Sequence, residues 1–359
     1  MQIVTVLGAR PQFIKAAPVS RALAKAGVEE RLVHTGQHYD YQMSEVFFRE
    51  MGIPAPAANL EVGSGTHGRQ TAQALERIEE YLLRNRPDCV LVYGDTNSTL
   101  AGALAACKLE IPLGHVEAGL RSFNRSMPEE HNRVLTDHCS DLLFCPTEAA
   151  VRLLASEGIT RGVHWVGDTM YEAAIMFEGI ASRNSNILNR LGVEPGRYLL
   201  ATVHRPYNTD QQDRLREILG ALADLGEPVV FPVHPRTRKK IGELNGSVPS
   251  SLDLKLVEPL GYLDMLVVEK NARMILTDSG GVQKEAYFFH VPCVTLRPET
   301  EWMETVKSGW NVLVGSDGSL IRRAVLDHPC PGGDPPDVFG SGNASELIVS
   351  ILGGLYGHG

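Results

Sequence analysis

The stretch Asp278-Ser-Gly-Gly281 follows an apolar run, Met274–Thr277, and precedes a helix-forming segment. That is the layout of a phosphate site. The serine can cap the helix, and the glycines let backbone approach an anion. Free N–H groups then point at that anion with the helix dipole behind them. Glu285 follows within about two turns, where a carboxylate can accept ribose hydroxyls. Together these residues suggest a nucleoside diphosphate held through ribose and phosphates. An ordinary strand–turn–helix junction with a tight Gly-Gly turn has the same letters. Carboxylates are the second theme. Asp95, Glu117 and Glu129 fall in three separate loops. Such groups act as general acids and bases once burial or neighbours shift their pKa. Each can equally cap a helix or pair with a cation such as Arg121 or Arg133. His204 ends an apolar run ahead of Arg205, in a position that suits a structural or a catalytic imidazole. Arg10 and Lys15 flank the turn Gly8-Ala-Arg-Pro-Gln12, as anion contacts or as surface charges. His234-Pro-Arg-Thr-Arg-Lys-Lys240 is a basic run. His34, Gln37 and His38, with Tyr39 and Tyr41, form a polar and aromatic loop able to contact a ligand.

The elements that must position these groups alternate along the chain. The pattern predicts strands at Ile3–Leu7, Glu30–His34, Cys89–Tyr93, Leu113–Val116 and Leu142–Cys145. A second series is predicted at Tyr198–Val203, Val229–Val233, Leu254–Val257, Met274–Thr277, Cys293–Leu296 and Val312–Val314. Helical patterns lie between, among them Gly68–Arg84, Thr96–Lys108 and Asp210–Leu225. Near-continuous apolar strands alternating with helices mean parallel sheets covered on both faces. Two such series predict an α/β protein of two doubly wound domains, with the boundary between Val166 and Gly196. The expected division is 1–170, 171–340 and a terminal helical segment 341–359. In open α/β sheets, ligands collect beyond the C-terminal ends of the strands. Six polar clusters sit there, on both series of strands, and their shared placement outweighs what any one of them says alone.

Composition narrows the function. A length of 359 residues suits two domains, and 43% hydrophobic with 21% charged residues is ordinary for a globular protein. A net charge of −9 argues against a general nucleic-acid binder. The start, Met1-Gln-Ile-Val-Thr-Val-Leu7, is a buried-strand pattern rather than a signal peptide, and no run approaches the length of a membrane helix. The six cysteines are widely spaced, which suits reduced thiols in the cytoplasm. Neither a zinc spacing nor a G-x-G-x-x-G turn is present, so neither a bound metal nor a nicotinamide cofactor is expected.

The chain resembles a known family through an ordered set of motifs. These are Gly8-Ala-Arg-Pro-Gln-Phe-Ile-Lys15, Thr35-Gly-Gln-His38, Gly94-Asp-Thr-Asn-Ser98, His115-Val-Glu-Ala-Gly-Leu-Arg121, Met127-Pro-Glu-Glu-His-Asn-Arg133, His204-Arg205 and Thr277-Asp-Ser-Gly-Gly-Val-Gln283. They resemble the non-hydrolysing UDP-N-acetylglucosamine 2-epimerases from the first strand to about Gly315. The resemblance implies two Rossmann-like domains of glycosyltransferase-B type with a UDP-sugar in the cleft between them. It also implies a final helix returning towards the first domain, and a homodimer. The implied reaction interconverts UDP-N-acetylglucosamine and UDP-N-acetylmannosamine. A base takes the C2 proton as UDP leaves C1, a 2-acetamidoglucal is held, and UDP adds back. By resemblance, Asp95, Glu117, Glu129 and His204 match acid/base and sugar-contacting positions, and Arg10 and Lys15 face the ligand. Ser279, Gly280 and Gly281 match the diphosphate loop, Glu285 the ribose carboxylate, and Met265 the uracil pocket. Gln37, His38, Arg69 and Gln70 resemble a second UDP-sugar site that activates bacterial members. Trp302, where well-studied members have arginine, and Glu61-Val-Gly-Ser-Gly-Thr-His-Gly68 look closer to a subgroup acting on UDP-2,3-diacetamido-glucuronic acid. For that sugar, Arg121, Arg125 or His131 are candidate partners of the extra carboxylate. A glycosyltransferase of the same fold and a non-catalytic UDP-sugar sensor are the remaining readings.

Overall fold

The computed structural model describes residues 1–37, 51–244, 253–327 and 331–356. His38 lies outside them, as does Cys330, and Arg10 is described by its backbone alone.

The chain divides into two compact units. One comprises Met1–Met176 with Asp337–Gly359, the other Phe177–Pro336. The first contains β1 (Gln2–Leu7), β2 (Glu29–His34), β3 (Ala58–Asn59), β4 (Cys89–Tyr93), β5 (Leu113–Val116), β6 (Leu142–Cys145) and β7 (Val163–Trp165). They form one sheet in the order β3-β2-β1-β4-β5-β6-β7. The second contains β8 (Leu199–Thr202), β9 (Val229–Pro232), β10 (Leu254–Val257), β11 (Met274–Thr277), β12 (Cys293–Thr295) and β13 (Asn311–Leu313). Their order is β10-β9-β8-β11-β12-β13. Neighbouring strands pair in parallel, as between β1 and β4 and between β8 and β11.

Each sheet is doubly wound. The chain runs outward from its first strand, returns, and continues on the other side. The order therefore reverses between β1 and β4 in one unit and between β8 and β11 in the other. A crevice opens at such a reversal, and loops from both directions meet there. The two units are thus Rossmann-like α/β folds, as the alternation of strands and helices led one to expect. Every strand predicted from the apolar runs is present. β3 and β7 were not anticipated. Both lie at sheet edges, are two and three residues long, and lack a continuous buried run.

The elements form where pattern and capping agree. The Asn97–Lys108 helix begins at Thr96, whose side chain accepts from Thr99 N. Its buried face is made of small residues, and Gly102 lets it lie close against Val6 and Val92 of the first sheet. The His67–Arg84 helix buries Gln70, Ala74, Ile78 and Leu82, spaced by fours along one face. In the second unit, Leu215, Ile218, Leu219 and Leu222 of the Gln212–Ala223 helix pack against β8, β9 and β11 in the same manner. The last helix, Ala344–Tyr356, packs on the Arg10–Lys25 helix of the first unit.

Candidate active site

In the first unit the chemistry gathers at the strand-order reversal. Gly8 follows β1 where no side chain fits. A Cβ there would lie 2.1 Å from Ser98 Oγ and 2.2 Å from Thr35 Oγ1. The next turn is fixed by Gln12. Its Oε1 accepts from Gly8 N and Ala9 N at 2.8 and 2.9 Å, while its Nε2 donates to the Tyr93 carbonyl at 2.8 Å. This buried glutamine therefore ties the β1 turn to the end of β4. As third residue of the helix it supplies half of a capping box, reaching back to the N–H of the N-cap Ala9, whose own side chain offers no cap.

Lys15 lies one turn further along the same helix and pairs with Glu117 Oε2. Their side chains are only 11% and 8% exposed, so the pair is held largely out of water. Glu117 itself has φ +72°, a left-handed conformation that costs free energy in any residue with a Cβ. Its N–H and that of Ala118 both point to the Phe144 carbonyl on β6. The end of β5 is thus twisted so that the Glu117 carboxylate turns towards Lys15. Asp95, two residues beyond β4, accepts from Arg133 Nη2 at 2.5 Å. Asn132 Nδ2 donates to the Asp95 carbonyl at 2.9 Å. The Pro128–Cys139 helix therefore reaches back to hold Asp95. Glu129 lies half-buried in its first turn. Its neighbour Glu130 is a clamp: the carboxylate accepts from Ser122 N, Ser122 Oγ and Phe123 N at 2.8–2.9 Å.

Arg121 takes a different part from the one considered for it. Its side chain is 1% exposed, and its donors meet Asp137 Oδ2 at 2.7 Å and both oxygens of Glu157 at 2.7 Å. It belongs to a buried network and is not available for a substrate carboxylate. Asp137 is the centre of that network, and its role had no local signal in the sequence. Burial pushes its carboxyl up, but the hydrogen bonds and charges of His115 and Arg121 outweigh burial and hold it below the usual carboxylate range.

Gln37 and Gln70 meet at the start of the Asn97–Lys108 helix. Gln37 Oε1 accepts from Ser98 N at 3.1 Å and Ser98 Oγ at 2.6 Å. Gln70 Oε1 accepts from Asn97 Nδ2 at 2.8 Å, and its Nε2 donates to the Gly63 carbonyl at 2.8 Å. Arg69 is exposed on the same helix as Gln70.

In the second unit the corresponding reversal is organised by Asp278. This fully buried carboxylate accepts from His204 N, Arg205 N and Asn208 Nδ2 at 2.9–3.1 Å. It thereby fixes the loop after β8 from the end of β11. The His204 side chain is 40% exposed, with Nδ1 3.7 Å from Asp278 Oδ1. Desolvation lowers its pKa from the ordinary imidazole value. Asp278 opposes that shift, and Arg205 and His234 reinforce it. Ser279 is the N-cap of the Gly280–Phe288 helix, accepting from Val282 N at 3.5 Å. Gly280 and Gly281 form its first turn, and Glu285 is 5% exposed one turn later. Met265 is half-buried in the Tyr262–Lys270 helix. Trp302 is buried with Lys284 Nζ 4.2 Å above its ring, and beside it Arg297 pairs with Glu301 at 3.1 Å. Among the described residues, no group of three His, Cys, Asp or Glu is placed to hold a metal ion.

Comparison with known proteins gives the family. The family described as UDP-N-acetylglucosamine 2-epimerase matches residues 21–353. A UDP-N-acetylglucosamine 2-epimerase homolog of Methanococcus maripaludis is 53% identical, over 99% of this chain and 100% of that protein. The UDP-2,3-diacetamido-2,3-dideoxy-D-glucuronate 2-epimerase of Pseudomonas aeruginosa is 47% identical, over 99% and 100%. The crystal structure of the Methanocaldococcus jannaschii UDP-GlcNAc 2-epimerase, solved with UDP-GlcNAc and UDP, superposes with a TM-score of 0.91 at 45% identity, covering 98% of this chain and 99% of that one. With matches of this extent along its whole length, the chain belongs to the UDP-N-acetylglucosamine 2-epimerase family.

Proposed function

We propose that the protein interconverts UDP-N-acetylglucosamine and UDP-N-acetylmannosamine by elimination and re-addition of UDP. The observation that carries this reading is the arrangement at the first sheet's reversal. Two carboxylates, Asp95 and Glu117, follow adjacent strands, each beside a cation, Arg133 and Lys15. The C2 hydrogen of the sugar has no adjacent carbonyl, so its removal must be coupled to departure of the group on C1. That demands a base, an acid for the return step, and support for charge on the leaving diphosphate. Asp95, Glu117, Glu129 and His204 are the groups assigned to proton transfer and sugar contact. Lys15, which pairs with Glu117, is assigned to the ligand. Arg10 is assigned to the ligand with it.

The UDP end of the substrate is assigned to the second unit. The Ser279 cap and the first turn at Gly280 and Gly281 offer N–H groups to a diphosphate. Glu285 is assigned to the ribose and Met265 to the uracil. Gln37, His38, Arg69 and Gln70 are assigned to a second UDP-sugar site. The cytoplasmic location and homodimeric state expected from the sequence belong to the same reading. So does the division of the chain into 1–170, 171–340 and 341–359.

The test is NMR of the purified protein with UDP-N-acetylglucosamine in D₂O. A UDP-N-acetylmannosamine signal carrying deuterium at C2 is the expected result. UDP-2,3-diacetamido-glucuronic acid is supplied in a parallel sample, because the Pseudomonas aeruginosa relative is named for that sugar. Exchange with that sugar alone moves the assignment to the subgroup. Exchange with neither overturns the epimerase reading.

A further inference from the structure

His115 is a polar ring in an otherwise apolar strand, and its side chain is fully buried. A buried imidazole without partners is costly, and here both nitrogens are engaged. Nδ1 lies 2.7 Å from Asp137 Oδ1, and Nε2 lies 2.7 Å from the Gly94 carbonyl. A carbonyl only accepts, so Nε2 carries a proton. Asp137 in turn accepts from Gly119 N at 3.1 Å through Oδ2 and from Arg121 Nη1 at 2.7 Å.

The covalent neighbours of these contacts matter. Gly94 immediately precedes Asp95, and Gly119 is two residues past Glu117. The chain Gly94–His115–Asp137–Gly119 therefore bridges the loop bearing one carboxylate and the loop bearing the other. Gly119 has little freedom of its own. It sits at φ +82°, and a Cβ there would lie 2.6 Å from the Ala150 carbonyl. Glu117, between the two grips, holds its left-handed conformation only if its surroundings impose it.

We propose that His115, oriented by Asp137, is a positioning residue: its Nε2–H fixes Gly94, and with Gly119 held by Asp137 the pair sets the spacing between Asp95 and Glu117. The inference rests on the epimerase reading above. Neither side chain reaches solvent, so neither meets substrate; they act through the backbone of the loops they join. A misplacement of about 1 Å at reacting groups can cost on the order of a hundredfold in rate.

The experiment compares His115→Gln with His115→Asn in the full chain. Glutamine can carry an N–H as far as the Gly94 carbonyl; asparagine reaches only towards Asp137. With UDP-N-acetylglucosamine, or whichever UDP-acetamido sugar the unmodified protein turns over, kcat is expected to be about tenfold higher for the glutamine variant. KM and the affinity for UDP should stay within about twofold of the unmodified protein in both. A merely structural role would lower thermal stability and UDP affinity without that order in kcat. Equal kcat values, or a faster asparagine variant, overturn the proposal. Should either variant fail to fold, ¹⁵N-histidine NMR of the unmodified protein decides. A protonated Nε2 shielded from exchange is expected, and an unprotonated Nε2 overturns it. If the unmodified protein turns over no UDP-acetamido sugar, the epimerase reading falls and this proposal with it. An active protein with indifferent variants removes the proposal alone.

Discussion

Glu117 carries a burden of charge beside the chemistry proposed for it. Its carboxylate and the Lys15 ammonium are largely desolvated, and removing one partner of a buried ion pair costs about 3–5 kcal/mol. Glu117→Gln should therefore lower both turnover and stability. The expected loss in kcat is about a hundredfold or more, with UDP affinity retained. The double variant Lys15→Met with Glu117→Gln separates the two effects. It should recover much of the melting temperature and none of the activity. Recovery of turnover in the double variant would remove Glu117 from proton transfer. His204 gives a second prediction at this scale. Desolvation leads the causes that lower its pKa, although the ring is 40% exposed. The shift favours the neutral imidazole, and the midpoint of its protonation falls below the ordinary pKa of about 6.5. If His204 must be neutral for turnover, kcat falls on the acid side, with its inflection below pH ~6.5, and His204→Asn abolishes that inflection. A pH–rate profile with an inflection above that value, lost in the variant, contradicts the assignment. The positions of Asp95, Glu117 and His204 at strand ends were legible because each closely follows an apolar run. Asp137 was not: its partner His115 is 22 residues away, and its role exists only once β5 and the Pro128–Cys139 helix are packed. Arg121 misled for the same reason, since a buried arginine and a ligand-facing one have the same letter.

At the level of elements, the proposed function asks two things of one side chain in the turn from β11 into the Gly280–Phe288 helix. Ser279 caps the helix, but its contact to Val282 N is long, 3.5 Å, so the cap is weak. Ser279→Ala should cost about 0.5 kcal/mol in stability, the low end for a cap. A contact to a diphosphate oxygen is charge-assisted and worth more. Its loss should weaken UDP binding about tenfold, or about 1.4 kcal/mol. Titration calorimetry with UDP beside a thermal melt measures both, and an unchanged UDP affinity would take the diphosphate away from this loop. The strand–glycine–helix layout was readable because a parallel strand buried on both faces leaves a continuous apolar run that must stop at a polar turn. β3 and β7 escaped for the converse reason. An edge strand of two or three residues needs no such run: Val163-His-Trp165 has none of its residues fully buried.

Across the whole chain, the first unit is closed by residues remote in sequence. It is built from Met1–Met176 together with Asp337–Gly359. Asp168 N donates to the Phe339 carbonyl at 2.9 Å, and Ala344, Ile348 and Leu352 bury their side chains almost completely. The polar lock in this closure is Glu172, whose carboxylate accepts from Ser345 N at 2.7 Å and Ser345 Oγ at 2.5 Å. Burial raises the Glu172 pKa, and the two Ser345 bonds only partly offset it. A carboxyl with a raised pKa binds its proton more tightly folded than unfolded. Its contribution is therefore most favourable at low pH, and it declines as pH rises through the folded pKa. Ser345→Ala removes the hydroxyl that supports the charged form, so the pKa rises further. At pH 7 the variant should lose about 1.5–3 kcal/mol, as for a hydrogen bond to a charged group. As pH falls and the carboxyl takes up its proton, the difference between variant and unmodified protein should shrink. Denaturant melts at neutral and mildly acidic pH measure that difference. A gap that stays constant or widens on acidification would mean that the Ser345 hydroxyl does not favour the ionised form of Glu172.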